Sequence, residues 1–186
     1  MKPIPRPEQR PPGQGGAPRL GAVLMLLYQK EAQTHIVLTR RRDDLQSHAG
    51  QISLPGGRRE PQETAEAAAL RETEEELGVP PAAITVLGAL TPLYIAPSDF
   101  EVYPFVGWHK GPPRFMPQPL EVAEVIETPL ALLLDEQTRA QETWQRNGLL
   151  LEVPYFQIGA HKVWGATAMM LSELIERLRR IEGDRR

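Results

Sequence analysis

Residues 57–79 read GRREPQETAEAAALRETEEELGV, and they form the most specific pattern in the chain. The pattern follows a turn signal, since proline and paired glycines in Leu54–Gly57 favour unusual backbone angles. Its middle consists mostly of Ala, Glu, Leu and Arg, which are good helix formers. We predict a helix over Glu63–Leu77 that Gly78 terminates and that Pro80-Pro81 keeps from continuing.

Three glutamates on this helix carry the expected chemistry. Glu72, Glu75 and Glu76 stand at i, i+3 and i+4, so a helix places their carboxylates on one face. Clustered carboxylates supply the hard oxygen ligands that suit Mg²⁺ or Mn²⁺. Arg71 stands one turn before Glu75 and is expected to pair with it. The alternative is a solvated acidic helix face, because exposed like-charge pairs cost only about 0.2–0.5 kcal/mol each.

The spacing of the whole window is G-x5-E-x7-R-E-U-x-E-E-x-G-U, where U is usually a bulky aliphatic residue. It resembles the Nudix box, the signature of the Nudix hydrolases, which cleave diphosphates linked to another moiety. All seven fixed letters match, and only Thr73 departs, at the first U position. The resemblance implies an α/β (α+β) fold, the Nudix α/β/α sandwich with a mixed central sheet.

The same resemblance implies roles for individual residues. Glu72 and Glu76 are the leading metal ligands, Glu75 is a further one, and the carbonyl of Gly56 completes the shell around Mg²⁺ or Mn²⁺. The metal would neutralise the diphosphate and lower the pKa of a bound water that attacks phosphorus. Arg71 would hold the carboxylates in place, and Glu63 is expected to brace the loop.

A carboxylate must also take the proton of the attacking water. One of the box glutamates is a candidate for this base. So are Glu121 and Glu124, which follow a Pro-rich turn outside the box. For these two, a plain surface position on a strand is an equal alternative, so the sequence leaves the base open.

The residues before the box indicate a subgroup. His48-Ala49-Gly50-Gln51 leading into Pro55-Gly56-Gly57 resembles the extended motif of the coenzyme A pyrophosphatases, which split coenzyme A into 4′-phosphopantetheine and 3′,5′-ADP. Ser98–Gly107 and Val163–Thr167 resemble the same subgroup, so the resemblance covers about Leu20 to Leu174. The chain departs from the motif at Arg42 and Gln46, where the subgroup tends to have a small residue and an arginine.

Arginines flank the predicted site on both sides. A 3′-phosphate calls for a guanidinium, which meets it with two parallel hydrogen bonds. A solvated arginine loop is the alternative, and for His48 the alternative is to satisfy backbone groups of the loop. Aromatic side chains are candidates for stacking on adenine, against ordinary core packing. The predicted substrate-binding residues are Arg40, Arg42, His48, Gln51 and Arg58, with Arg41 and Arg59 as further arginines and Phe100, Tyr103 and Trp108 as the aromatics.

Two other functions stay open at this stage. The first is hydrolysis of another nucleoside diphosphate derivative, such as ADP-ribose or a dinucleoside polyphosphate. The second is a non-catalytic Nudix-like ligand sensor, which would be expected to have lost box carboxylates that this chain retains. The leading interpretation is a Mg²⁺- or Mn²⁺-dependent hydrolase of coenzyme A or its thioesters.

The rest of the chain is organised around this motif. Residues 1–19 are rich in Pro and Gly and are predicted to be a flexible tail, with residues 20–186 as one Nudix hydrolase domain. A closing helix over Ala166–Ile181 would place Met169, Met170, Leu174, Leu178 and Ile181 near one face. Strands are predicted at Ala22–Tyr28, Thr34–Thr39, Ile84–Leu90, Glu101–Trp108, Val122–Ile126 and Leu149–Tyr155.

Composition excludes several classes of protein. The chain has no cysteine, which rules out disulfides and thiolate metal sites. The net charge is −3, with +3 on residues 1–19 and therefore −6 on the remainder, a poor match to duplex nucleic acid. No apolar run is long enough to span a membrane. We therefore expect a cytoplasmic protein with a small-molecule substrate and no nucleic-acid or membrane partner, either monomer or homodimer.

Overall fold

The structure is a computed structural model that describes residues 16–44, 49–146 and 148–183. Within these ranges the helices are α1 (Ala65–Leu77), α2 (Leu130–Leu134) and α3 (Gly165–Gly183). The strands are β1 (Arg19–Lys30), β2 (Gln33–Arg41), β3 (Ile52–Ser53), β4 (Gly56–Arg58), β5 (Ile84–Ala89), β6 (Leu93–Ile95), β7 (Phe100–His109), β8 (Val122–Pro129), β9 (Arg139–Arg146), β10 (Leu149–Ile158) and β11 (His161–Trp164). The described residues form two compact units, one up to residue 130 and the other from residue 131 onward.

The first unit is built on a mixed sheet. Its main path runs β3-β2-β1-β7-β5, while β4 pairs with β1, β6 with β7 and β8 with β2. β1 lies parallel to β7 and antiparallel to β2 and β4. Successive side chains of β1 from Leu24 to Tyr28 are all buried, as expected for a strand covered on both faces. The mixed central sheet that the sequence predicts is confirmed.

Helix α1 packs on this sheet through its small and aliphatic side chains. Thr64 caps its first turn, because the hydroxyl accepts a hydrogen bond from the Ala67 N–H at 3.1 Å. Gly78 ends it in the left-handed conformation, with φ of 69°, and its N–H bonds the Glu74 carbonyl. The predicted helix is thus confirmed, and it starts two residues later than expected. The core on this side consists of Ala22, Leu24, Leu26, Tyr28, Val37, Ala68, Ala69, Leu77 and Val79.

The second unit contains α3 and an antiparallel sheet of order β11-β10-β9. Trp144 and Trp164 meet edge to face across this sheet, with ring centroids 4.6 Å apart. The predicted closing helix is confirmed, but its predicted face is partly wrong. Ile181 is half exposed, whereas Leu171 and Ile175 are buried. The residues of α3 that the structure buries are Thr167, Ala168, Met170, Leu171, Leu174 and Ile175.

The strands that the sequence pattern does not predict are short or polar. β3, β4 and β6 have only two or three residues each, too few to show an alternating pattern. β9 reads RAQETWQR and lacks an apolar stripe. The predicted strands are confirmed with bounds shifted by up to three residues. In the described residues no helix is both long and apolar enough to cross a membrane.

Candidate active site

The glycine turn at Gly56 and Gly57 runs as β4 directly against β1. Gly56 pairs with Val23, and its φ of 149° is one that side-chain-bearing residues rarely adopt. A Cβ at Gly56 would stand only 2.6 Å from the Val23 Cα and closer still to the Ala22 carbonyl. The position therefore requires glycine, and the turn is locked to the central strand.

Gly57 leaves room for the Glu72 carboxylate. A Cβ at Gly57 would lie 2.5 Å from the Glu72 Cδ and 2.6 Å from its Oε1, so the carboxylate fills the space that a side chain would take. Burial raises the pKa of Glu72, against the opposing effect of Arg71, and the neighbouring Glu75 and Glu121 add to the rise. Helix α1 thus brings a partly desolvated carboxylate against the turn.

Glu76 approaches the same turn one helical turn later. Its side chain is only 4% exposed, and it accepts a long hydrogen bond of 3.3 Å from the Gly56 N–H. Arg41 Nη1 lies 3.9 Å from the Glu76 carboxylate. Burial raises the pKa of Glu76 to about 8, and the charges of Glu72 and Glu121 contribute. Glu72 and Glu76 therefore form a carboxylate pair whose ionisation is disfavoured without a cation.

Arg71 organises the other carboxylates of the box. Its Nη1 donates to Glu72 at 3.0 Å and to Glu75 at 3.0 Å, and its Nη2 donates to Glu63 at 2.8 Å. Nη2 also reaches the Arg58 carbonyl at 3.1 Å, which ties α1 to β4. The predicted pairing of Arg71 with Glu75 is confirmed. Glu63 accepts from Arg71 and from the Glu60 N–H at 2.7 Å, so it braces the loop, and Arg71 lowers its pKa.

Glu75 is the most exposed of the three box glutamates. The Glu75 side chain is 58% exposed, and its carboxylate is held by Arg71. Within the described residues no three His, Asp or Glu side chains form a ready-made metal cluster. Glu72 and Glu76 nevertheless fit a divalent cation, because both are acidic oxygen donors whose pKa values are raised by burial and mutual repulsion.

The three arginines at the end of β2 have different surroundings. Arg40 Nη1 donates to both carboxylate oxygens of Asp43, at 2.8 and 3.0 Å. Arg42 donates to Asp44 through Nε at 2.7 Å and Nη2 at 2.6 Å. These acidic partners raise the pKa of both arginines. The two predicted substrate-binding arginines are therefore already paired.

Arg41 instead lies beside Glu76, after an irregularity in the pairing of β2 with β8 between Arg40 and Arg41. Its Nε is buried and has no hydrogen-bond partner in the described part of the chain. A buried unpaired donor is costly, so this guanidinium is suited to receive an acceptor. From the sequence, Arg41 was expected only as a further arginine. No local spacing would have singled it out, because Asp43 and Asp44 lie as close in sequence to Arg41 as to Arg40 and Arg42.

The two candidates for the general base also differ. Glu124 lies on β8, directly opposite Arg40, and its Oε2 is 3.5 Å from the arginine Nε. Glu121 precedes β8, is exposed, and its charge contributes to raising the pKa of both Glu72 and Glu76. Of these two candidates, Glu121 is therefore the one whose charge acts on the Glu72–Glu76 pair.

The other predicted substrate contacts are spread around the turn. Arg58 is exposed at the end of β4, and its carbonyl accepts from Arg71. The Gln51 carbonyl accepts a hydrogen bond from the Arg41 N–H at 3.0 Å. His48 lies outside the described residues. Among the aromatics, Tyr103 packs against the core beneath α1 and donates to Glu101 at 3.3 Å, which favours the packing role.

Comparison with known proteins shows which family the chain resembles. The model of the NUDIX domain matches residues 18–146. The uncharacterized Nudix hydrolase NudL of Photorhabdus laumondii is 35% identical over 161 residues, which cover 86% of this chain and 85% of the relative. The mitochondrial Nudix hydrolase 15 of Arabidopsis thaliana is 31% identical over 162 residues, 83% of this chain and 56% of that relative.

Two solved structures share the fold. The Nudix hydrolase RenU from M. smegmatis superposes with a TM-score of 0.60 at 18% identity, over 91% of this chain and 88% of that one. The NUDIX domain of Shewanella oneidensis NrtR, complexed with ADP ribose, gives 0.57 at 18% identity, over 91% and 94%. Nudix hydrolases generally use divalent metal ions and bind small-molecule nucleotide substrates. The chain therefore belongs to the Nudix hydrolase family, and it is a hydrolase of nucleoside diphosphate derivatives.

Proposed function

We propose that the protein hydrolyses the diphosphate bond of coenzyme A, or of its thioesters, to 3′,5′-ADP and 4′-phosphopantetheine with Mg²⁺ or Mn²⁺. The observation that carries the hydrolytic part is the Glu72–Glu76 pair at the Gly56–Gly57 turn. Both carboxyl groups have raised pKa values and few hydrogen bonds, so a cation would stabilise their ionised forms. A diphosphate ester brings the complementary negative charge to that cation.

Glu72 and Glu76, with the carbonyl of Gly56, are the groups that would hold the divalent ion. When bound, such an ion neutralises the diphosphate and lowers the pKa of a coordinated water. Glu75 stays outside this set in the proposal, since its side chain is 58% exposed. Arg71 Nη1 donates to Glu72 and to Glu75 alike, at 3.0 Å each.

The remaining steps use the chain's own side chains. The water oxygen attacks phosphorus, the bond from phosphorus to the bridging oxygen breaks, and that oxygen leaves on the second phosphate. The Glu121 carboxylate takes the proton of the water and returns it to solvent. Arg41 is the guanidinium next to the pair and donates to a phosphate oxygen there, since its Nε has no partner in the described residues.

The choice of coenzyme A rests on the motif that leads into the box, residues 48–57, and on the two later segments that resemble the same subgroup. Arginines near the site are consistent with a substrate that carries an additional 3′-phosphate. ADP-ribose and related dinucleotides need the same carboxylate pair, so the carboxylates alone favour neither substrate.

Substrate choice is tested by incubating the protein with Mg²⁺ and a panel of coenzyme A, dephospho-coenzyme A, ADP-ribose and an oxidised deoxynucleoside triphosphate. Products are identified by mass spectrometry. We expect 3′,5′-ADP and 4′-phosphopantetheine from coenzyme A, at a higher kcat/KM than for any other member. If another member is consumed while coenzyme A stays intact, the substrate assignment is wrong and the hydrolase assignment stands.

A further inference from the structure

Residues 115–121 cross the C-terminal end of α1 and continue into Glu121. Two backbone hydrogen bonds attach this 115–121 segment to the helix. The Met116 N–H donates to the Leu77 carbonyl at 2.8 Å, and the Gln118 N–H donates to the Glu76 carbonyl at 2.9 Å. These carbonyls belong to the last helical turn, where a carbonyl has no N–H partner within the helix. The segment therefore caps the helix that carries the buried carboxylate pair.

The same segment holds the backbone of Glu121. The Gln118 carbonyl accepts hydrogen bonds from the Glu121 N–H at 3.1 Å and the Val122 N–H at 2.9 Å. A single residue, Gln118, thus connects the backbone of Glu76 to the backbone of Glu121. The Glu121 carbonyl in turn accepts from the Arg42 N–H at 3.2 Å, which fixes the far end of the segment on the extension of β2.

Gln118 has little freedom to move, because Pro117 and Pro119 flank it. Each proline fixes its own φ and restricts the residue before it to extended conformations. The Pro119 carbonyl is also held, since it accepts from Arg42 Nη1 at 2.8 Å. A rigid connection of this kind transmits the position of the helix end to Glu121.

Gly78 allows the segment to come this close. A Cβ at Gly78 would lie 2.9 Å from the Met116 Cβ and 3.3 Å from the Met116 carbonyl. The glycine therefore does more than end the helix, because a larger residue would push the 115–121 segment away. The Met116 side chain itself is 60% exposed, so its contribution is through the backbone and Cβ.

We propose that the 115–121 segment is a positioning element that fixes the position of Glu121 relative to the Glu72–Glu76 pair. Met116, Gln118 and Gly78 are its positioning residues. This inference rests on the proposed function in one respect, since it takes Glu121 as the base. Misplacing a catalytic group by about 1 Å can cost on the order of 100-fold in rate, so small shifts of the segment should be measurable.

The test disturbs the contact between Met116 and the end of α1, with one variant in the segment and one at the helix end. Met116→Pro removes the N–H that bonds Leu77, while Met116→Ala keeps that N–H and serves as its control. Gly78→Ala introduces the clash, and Gly111→Ala is its control, because Gly111 has a similar φ of 79° and a Cβ added there would meet nothing within 4 Å. Steady-state kinetics uses whichever panel substrate the wild type cleaves, and thermal unfolding checks that each variant is folded.

We expect Met116→Pro and Gly78→Ala to lower kcat by about 10-fold or more with KM and the Mn²⁺ activation constant unchanged. Their controls should stay within about two-fold of the wild type. Met116→Gly should restore part of the activity of Gly78→Ala, since it removes the Cβ that the new methyl group meets. In a Glu121→Gln background neither Met116→Pro nor Gly78→Ala should lower kcat further.

Three results would overturn the inference. One is equal kcat for Met116→Pro and Met116→Ala. Another is a further full loss of kcat when either variant is combined with Glu121→Gln, because the segment would then act only on overall structure. The third is a Glu121→Gln enzyme as active as the wild type, which would also remove the base from the proposed function. Failure of coenzyme A as a substrate would leave the inference standing on the substrate that is cleaved.

Discussion

Helix α1 carries the three box glutamates, Glu72, Glu75 and Glu76, and the end of β2 carries three arginines. The two rows of like charge have opposite surroundings. Of the three glutamates, two are drawn inward to the glycine turn and only Glu75 is left in solvent. Of the three arginines, two are paired outside with aspartates and only Arg41 lies beside the buried pair. The helical period places Glu72 and Glu76 one turn apart. Arg41 follows an irregularity in the pairing of β2 with β8.

The largest effect should come from comparing substitutions of a buried and an exposed box glutamate. Glu76→Gln removes a proposed ligand, so we expect kcat to fall by more than about 100-fold, beyond the usual cost of losing an outer-shell partner. Glu75→Gln is the matched control on the same helix and should stay within about five-fold of the wild type, as exposed ion pairs contribute little. Steady-state hydrolysis assays measure both. Equal losses would contradict the division between buried and exposed glutamates.

Substitutions of the arginines at the end of β2 should show the next largest effect. Arg41→Gln should lower kcat/KM by about 10-fold to 100-fold, the equivalent of one charge-assisted hydrogen bond of about 1.5–3 kcal/mol. Arg40→Gln, at a position already paired with Asp43, should change it by no more than about two-fold. A larger loss in Arg40→Gln than in Arg41→Gln would mean that substrate displaces Asp43, and the comparison would be reversed.

A smaller effect is expected on stability and its pH dependence. The pKa of Glu76 is about 8 in the folded protein and near its ordinary value of 4.5 when unfolded. Between these values the folded state holds the extra proton, so the free energy of unfolding should fall as pH rises from about 4.5 to 8. Glu76→Gln lacks this group, and in a chelating buffer its free energy of unfolding should exceed that of the wild type by about 4 kcal/mol at pH 8.

Urea unfolding at several pH values measures this difference. Thr73→Val changes the same helix without altering a titratable group, and it should keep the wild-type slope. If Glu76→Gln and the wild type show parallel pH profiles between pH 5 and 8, the carboxyl group of Glu76 is not desolvated as described.

The smallest effect concerns the one departure from the box. Thr73 is fully buried, and its hydroxyl donates to the Ala69 carbonyl at 2.7 Å, one turn earlier. This bond satisfies the hydroxyl at a position where an aliphatic residue is usual. Thr73→Val should therefore change the free energy of unfolding by only about 0.5–1 kcal/mol, measured by urea unfolding. A loss above about 2 kcal/mol would show that the hydroxyl has a further role.

The sequence predicted best those features that depend on local spacing. The end of α1 at Gly78, the pairing of Arg71 with Glu75 and the position of Glu63 all lie within one short window. The pairing of these strands was out of reach, because β4 and β6 are too short to carry a pattern, and β4 meets a partner far away in the chain.

The site was predicted less evenly than the fold. Helical spacing placed all three glutamates on one face, but it does not tell which of them is buried, and Glu75 is 58% exposed. The contrast among the arginines depends on Asp43, Asp44 and the pairing of β2 with β8, which no local rule supplies. The connection from Glu76 through Gln118 to Glu121 joins residues far apart in the chain and emerges only in three dimensions.

Metal binding tests the central claim most directly. Mn²⁺ binding to the wild type, Glu75→Gln and Glu76→Gln is followed at neutral pH by electron paramagnetic resonance, without substrate. We predict that Glu75→Gln binds within about three-fold of the wild type, while Glu76→Gln binds at least about 10-fold more weakly. Unchanged binding in Glu76→Gln, or a greater loss in Glu75→Gln, would contradict the assignment of the buried pair as the metal site.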